Sequence, residues 1–196
     1  QSVSAVAELK EALGDDGLVV DVPDLLEEIW EDRPSVPVSP VTTLDVECFG
    51  GVPRVEKLSW LRKWMLLQGY DKVLLSSLDE IAWILNVRGA DIEYNPLVIS
   101  YLLVSQDYVK WFVRKSASYG DVDPDTADSF TELQFDGVSV EDYDAVYMGL
   151  ADFGGEDSAG TIFVDPSTLN CHVADYLETV FTRQGIVRGV SPVILE

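Results

Sequence analysis

The chain is short of basic residues, of cysteine and above all of histidine. Its 196 residues carry 13 Lys and Arg against 35 Asp and Glu, a formal net charge of −22 at pH 7. A surface this acidic repels phosphate backbones and opposes docking on anionic lipid, so nucleic acid and anionic membrane are excluded as leading partners. The two cysteines, Cys48 and Cys171, form neither a CxxC pair nor a disulfide framework, and both read as reduced thiols in a cytoplasmic setting. The single histidine, His172, leaves no room for a centre built on several imidazoles. No G-x-S-x-G elbow accompanies it, which removes the usual setting of a hydrolytic triad. His172 directly follows Cys171, and adjacent helix positions point in different directions, so the pair does not chelate one ion and His172 reads as a packing residue. The longest apolar stretch, 97–104, is broken by Ser100 and is far too short to span a bilayer. No charged, apolar, small-residue sequence opens the chain.

What the chain does have is core-forming material. Apolar residues make up 47% of it, with five Trp, eight Tyr and seven Phe, enough for a packed domain. A chain of this length buries roughly 70% of its unfolded surface. The first third looks different from the rest. Ala5 to Leu13 reads as a helix closed by Gly14, Leu18 to Val22 as a strand, and Pro23-Asp24 to Trp30 as a short helix. Pro34, Pro37 and Pro40 then make 33–40 an extended connector. Residues 1–32 therefore read as the closing helix and strand of a preceding domain, 33–40 as a linker and 41–196 as the main body. Leu18–Val22 without a parent sheet exposes an apolar edge. It is expected to pair with a partner chain, add to the sheet edge or pack on the linker.

In the body, Arg54 to Gln68 reads as a helix between Pro53 and Gly69. A strand follows at Lys72–Ser76. Ser77 and Glu80 have capping-box spacing for a helix over Leu78–Leu85. After a loop at Arg88–Asn95, the nearly all-apolar 97–104 suits a central strand covered on both faces. Tyr108–Arg114 reads as its neighbour, Gly120–Ser129 as an acidic loop, and Glu132–Phe135 as a short strand. A helix is expected from Glu141 to Phe153 with Ser139 as its cap, then a strand at Thr161–Val164. The last helix is expected to open at Asp165-Pro166-Ser167, with Leu169, Val173, Leu177 and Val180 on one face. Ile186–Gly189 closes the sheet. Six strands and four main helices make an α/β sandwich with a mixed sheet.

Two features stand out as candidate sites. Asp121, Asp123, Asp125 and Glu132 occupy positions 1, 3, 5 and 12 of a calcium-loop pattern, but Thr126 replaces the sixth-position Gly and Pro124 and Asp128 sit badly, so a solvated loop is the stronger reading. The helix 54–68 carries two apolar stripes. Val55, Leu58, Leu61 and Met65 face the core. Trp60, Trp64 and Leu67 lie roughly opposite, either as an interface with another domain or subunit or buried under the N-terminal stub.

The stretch Leu78-Asp79-Glu80-Ile81-Ala82-Trp83-Ile84-Leu85-Asn86-Val87-Arg88-Gly89, with Asn95-Pro96 and Ile99-Ser100-Tyr101 after it, resembles the second domain of three-domain Xaa-Pro aminopeptidases (aminopeptidase P). Ile29-Trp30-Glu31-Asp32-Arg33-Pro34 resembles the hinge between their first two domains. Val55-Glu56-Lys57-Leu58 and Tyr70-Asp71-Lys72-Val73-Leu74-Leu75 match the creatinase/prolidase N-terminal pattern, and Val190-Ser191-Pro192-Val193-Ile194-Leu195 resembles the lead-in to the catalytic domain. The resemblance covers about the whole chain, most strongly Leu25 to Val104.

It implies a creatinase/prolidase N-terminal-like fold with a six-stranded mixed sheet flanked by helices. It implies a parent that is a cytoplasmic, manganese-dependent metalloprotease working as an oligomer, most often a dimer. Such a hydrolase removes the N-terminal residue before proline from peptides. The family's two-metal site uses two Asp, one His and two Glu, with further histidines, in a pita-bread domain. No position here receives those ligands, so this chain is expected to hold no catalytic, cofactor-binding or metal residue. Its partners are then its own catalytic and N-terminal domains. By resemblance the loop with Arg88, Asp91, Tyr94 and Asn95 faces the cleft or another domain; the plainer reading is a local Arg88–Asp91 salt bridge. The alternative function is a stand-alone binding or scaffold module without peptidase activity.

Overall fold

The computed structural model describes residues 1–14, 17–26, 29–49, 51–114, 124–152 and 160–195. In chain order the elements are α1 (Val3–Leu13), β1 (Thr42–Thr43), α2 (Val46–Phe49), α3 (Arg54–Gln68), β2 (Lys72–Leu75), α4 (Leu78–Leu85), β3 (Val87–Arg88), β4 (Ser100–Ser105), β5 (Val109–Val113), α5 (Pro124–Phe135), β6 (Val138–Asp142), α6 (Val146–Ala151), β7 (Ile162–Val164), α7 (Cys171–Val180) and β8 (Ile186–Arg188).

Six strands form one mixed sheet in the order β6-β5-β4-β2-β7-β8. The β4/β5 hairpin and the β2/β4 pair are antiparallel, while β5/β6, β2/β7 and β7/β8 run parallel. All six residues of β4 are buried, as a strand with helices over both faces requires. Alternation along the strands sorts side chains onto two cores. Val73, Leu75, Leu102, Val104, Trp111 and Val113 meet Leu58, Leu61 and Met65 of α3 and Ile81, Ile84 and Leu85 of α4. Leu74, Leu103, Phe112, Ile162 and Val164 meet Val146 and Leu150 of α6 and Val173 and Leu177 of α7 on the other side. The result is a three-layer α/β sandwich. A smaller antiparallel ribbon, β1 with β3, pairs Thr42 with Arg88 and Thr43 with Val87. Two-residue strands are too short to show alternation, so nothing in the sequence announces them.

Several elements differ from the sequence expectation, each for a visible reason. The strand expected at Glu132–Phe135 is the last turn of α5, which runs to Phe135 and is followed by Gly137 at φ 82°. Its inner face is Thr126, Ser129 and Leu133, all buried. Two of these are small hydroxyl residues, which hides the helical period. They are inside because they satisfy an edge: Thr126 Oγ1 accepts from Val41 N at 2.9 Å and Ser129 Oγ from Thr43 N at 3.2 Å. Conversely, the stretch from Ser139 to Glu141 belongs to β6, not to a helix. Val138 and Val140 point inward while Ser139 and Glu141 point out, a period of two. A 3-10 turn at Tyr143–Ala145, capped by Asp142, then leads into α6. The last helix starts at Cys171, since Asn170 Oδ1 caps it by accepting from Val173 N at 2.9 Å. The capping box at Ser77 and Glu80 does not form: Ser77 Oγ hydrogen-bonds to Asp79, and Glu80 turns into the interior.

At the N-terminus, α1 is strapped onto the body by Val3 N donating to Leu169 O and Ser4 N to Pro166 O, both at 2.9 Å. The expected strand Leu18–Val22 is absent among the described residues; Leu18, Val20 and Val22 are exposed and pair with neither a sheet edge nor the linker. Where a helix was expected up to Trp30, Ile29 N and Trp30 N both donate to Leu26 O and make a turn, with Glu27 and Glu28 outside the described residues. Residues 33–40 carry neither helix nor strand, and Val41, 1% exposed, is the first core residue.

Candidate interdomain surfaces

The loop after β3 is organised by one buried carboxylate. Asp91 Oδ1 accepts from Ser39 N and Ser39 Oγ, both at 2.7 Å, and Oδ2 accepts from Ile99 N at 2.8 Å. Ser39 Oγ in turn accepts from Ala90 N at 2.6 Å. The linker is thus pinned across the base of the loop just before the chain enters the core. Gly89 makes this crossing feasible, because a Cβ there would lie 2.5 Å from Val98 Cγ2 and 3.0 Å from Ser39 Oγ. The local Arg88–Asp91 salt bridge is not formed. Arg88 Nη1 donates instead to Ala82 O at 3.1 Å and Val87 O at 2.8 Å, at the end of α4. That placement suits a cation facing the partly negative carbonyl end of a helix. The four loop residues therefore split: Arg88 and Asp91 are structural supports, while Tyr94 and Asn95 project. Asn95 N donates to Ile92 O at 3.0 Å, closing a tight turn in which Tyr94 has φ 63° and is 95% exposed. A bulky residue in the left-handed region is an outlier.

The aromatic stripe of α3 is only half free. Trp64 packs edge-on against Phe163 of β7 at 5.2 Å between ring centres and tilts onto Tyr70 at 5.4 Å. Trp60 meets Trp83 of α4 edge-on at 6.4 Å. The stub does not cover them, since α1 packs beside α7 on the opposite face of the sheet. Leu66 and Leu67 are open to solvent. The core stripe also shifts: Val55 is exposed, while Lys57 is 6% exposed beside the buried Leu58, Leu61 and Met65. Lys57 Nζ donates to Trp83 O at 2.7 Å and Asn86 Oδ1 at 2.6 Å and sits 4.3 Å from the Trp83 ring. Burial, with Arg88 nearby, pulls its pKa below the ordinary lysine value.

A third arrangement joins α4 to the segment after β8. Glu80 Oε2 accepts from Ser191 Oγ at 2.8 Å, and Ser191 N donates to Asp165 Oδ2 at 2.8 Å. Burial pushes the Glu80 carboxyl up to about 6, against the lowering effect of the Ser191 hydroxyl. No local motif joins positions 80 and 191, so only the fold reveals the pair.

The other candidates carry less. His172 is exposed and rests edge-on against Tyr147 at 5.6 Å. Cys48 and Cys171 are free thiols. The nearby Asp45 raises the Cys48 thiol above its usual pKa. Asp121 and Asp123 lie outside the described residues. Asp125 and Glu132 lie seven positions apart on α5, a rise of roughly 10 Å that one ion does not bridge. Among the described residues no group of three or more His, Cys, Asp or Glu is placed to hold a metal, and no helix is long and apolar enough to cross a membrane.

These layers and this strand order define the class, a mixed-sheet α/β sandwich. Residues 32–195 match the family model of the creatinase/prolidase N-terminal domain, and the chain belongs to that family. Among its relatives, Aminopeptidase P2 of Arabidopsis thaliana is 31% identical over 161 residues, 82% of this chain. Xaa-Pro aminopeptidase app-1 of Caenorhabditis elegans is 33% identical over 137 residues, 68% of this chain. In each case the match spans 21% of the relative, so the chain corresponds to about a fifth of these enzymes. The crystal structure of the X-prolyl aminopeptidase from Caenorhabditis elegans, described as a cytosolic enzyme with a di-nuclear active site, superposes with a TM-score of 0.77 at 26% identity. That match covers 98% of this chain and 30% of the enzyme.

Proposed function

We propose that this chain is a non-catalytic middle domain of a metal-dependent Xaa-Pro aminopeptidase. The parent removes the N-terminal residue ahead of proline with two manganese ions held outside this chain, in the cytoplasm and as a dimer. The observation that carries the reading is the superposition of nearly the whole chain on under a third of a di-nuclear enzyme. With one histidine in the sequence, the residues here do not fit a two-metal site with several imidazoles, and no catalytic step is assigned to them.

In this reading the domain shapes the cleft and supports assembly. Residues 1–32 are the end of a preceding domain, 33–40 the linker and 41–196 the middle domain, with the Asp91–Ser39 contact setting the angle between linker and body. Tyr94 and Asn95 form the projecting tip that faces the cleft or a neighbouring domain. The rim of Trp60, Trp64 and Leu67 is the docking face. Since Trp64 also supports the core, Leu67→Glu is the clean probe in the full-length peptidase. Its melting temperature is expected to stay unchanged while domain or subunit association, measured by sedimentation, weakens. Unchanged association overturns the docking assignment.

A further inference from the structure

The segment that follows β8 is held to the body through two carboxylates. Ser191 is 1% exposed and Val193 7%, yet Val190 and Ile194 on either side are each 66% exposed. Two hydrogen bonds tie it to the body, Ser191 Oγ to Glu80 Oε2 and Ser191 N to Asp165 Oδ2, both at 2.8 Å, and a third, Val193 N to Ser191 Oγ at 3.3 Å, closes a turn within the segment. Glu80, on α4, is 6% exposed, and among the described residues no cation pairs with it. The charged groups that act on it are both acidic, Asp79 one step before it on α4 and Asp165 from the turn after β7. A short segment tied by so few contacts belongs to the low-stability end of a structure, where local opening precedes global unfolding.

We propose that Glu80 and Ser191 form a proton-gated latch, closed on α4 when the Glu80 carboxyl is neutral and loosened when it ionises. In the closed state the neutral acid accepts the Ser191 hydroxyl with no charge buried beside Asp165. Ionisation places a charge on a buried side chain, near the exposed Asp79 and the half-buried Asp165. Swinging Glu80 into water relieves this and leaves Ser191 N on Asp165 as the one remaining bond from Ser191 to the body, so Ser191 and Val193 open together more readily. The direction follows from linkage. The closed-state pKa of about 6 stands above the value of 4.5 for an open carboxyl, so acid favours the closed form. The opening constant then rises about 30-fold in all as pH climbs through this window, and about eight-fold between pH 5 and 7.5. If the proposed function holds, 190–195 leads into the catalytic domain, and the latch sets how firmly that junction is anchored. The test does not depend on that reading.

Amide hydrogen exchange of this chain, followed by NMR at Ser191 and Val193 and corrected for intrinsic rates, measures the opening constant. It is expected to rise about eight-fold from pH 5 to 7.5 at these two amides, at an opening free energy well below that of the β4 amides, which exchange only through global unfolding. Glu80→Gln, the neutral isostere, is expected to hold the two amides protected at every pH. A flat profile in the native chain overturns the latch. So does an equal slope in Glu80→Gln, protection at the two amides as high as that of β4, or a Glu80→Gln chain that does not fold.

Discussion

Removing the Asp91 carboxylate is expected to weaken the domain more than most loop substitutions do. Three donors converge on its two oxygens, at 2.7, 2.7 and 2.8 Å, and the residue is 6% exposed. Hydrogen bonds to a charged acceptor contribute roughly 1.5–3 kcal/mol each when their loss strands a buried partner. Ser39 and Ile99 are half-buried, so in Asp91→Ala their donors regain water in part, and the expected loss is about 2–4 kcal/mol in total rather than the full sum. Asp91→Asn keeps one acceptor oxygen and is expected to lose about half as much. Ser39→Ala removes one of the three bonds and is expected to cost about 1 kcal/mol. Urea unfolding monitored by tryptophan fluorescence reads these values, with unchanged m-values showing that the unfolded state is the same. The double variant should be less destabilised than the sum of its parts, because both single changes break the same bond. Asp91→Ala within 0.5 kcal/mol of the native chain, or strict additivity with Ser39→Ala, would refute the pinned-linker account.

Three further outcomes follow from the geometry. Glu80→Gln should raise global stability at pH 7 by up to about 2 kcal/mol, the equivalent of moving a carboxyl from 4.5 to about 6, with the gain shrinking to nothing below pH 4.5; urea melts across that range check it. In Gly149→Ala the new Cβ would lie 2.5 Å from Phe112 Cζ, itself buried against α6, so a loss of about 1–3 kcal/mol is expected and an unchanged melting temperature would contradict the packing. Tyr94→Gly should relieve the strain of φ 63° and stabilise the chain by up to about 1 kcal/mol, whereas a loss would mean that the exposed ring makes a contact this account lacks.

The sequence was most readable where apolar periodicity met clear punctuation. α3 lies between Pro53 and Gly69 as expected, with Gly69 in the left-handed region at φ 75°. β4 shows as a continuous apolar run because both its faces are covered. Legibility failed where polar side chains do interior work. Thr126 and Ser129 present hydroxyls to the β1 edge, so α5 hid among acidic residues and its last turn passed for a strand. The valines of β6 keep a strand's alternation, but the helical residues just beyond draw the expected helix back to Glu141, onto the last two residues of β6. At the candidate site, position was legible and partnership was not. Asp91, Tyr94 and Asn95 do share one loop, with Arg88 at the end of β3 before it, yet the partners of Asp91 sit at Ser39 and Ile99, and that of Glu80 at Ser191, more than 100 positions from Glu80. Long-range pairs of this kind have no local signature.

The most direct test of the central claim is an activity measurement on the 196-residue chain itself. Incubated with manganese and a peptide carrying proline at its second position, the chain is expected to release no N-terminal residue above the metal-only control, as chromatography of the products would show. Metal-dependent release that scales with protein concentration, and persists after purification to homogeneity, would contradict the assignment of a non-catalytic domain.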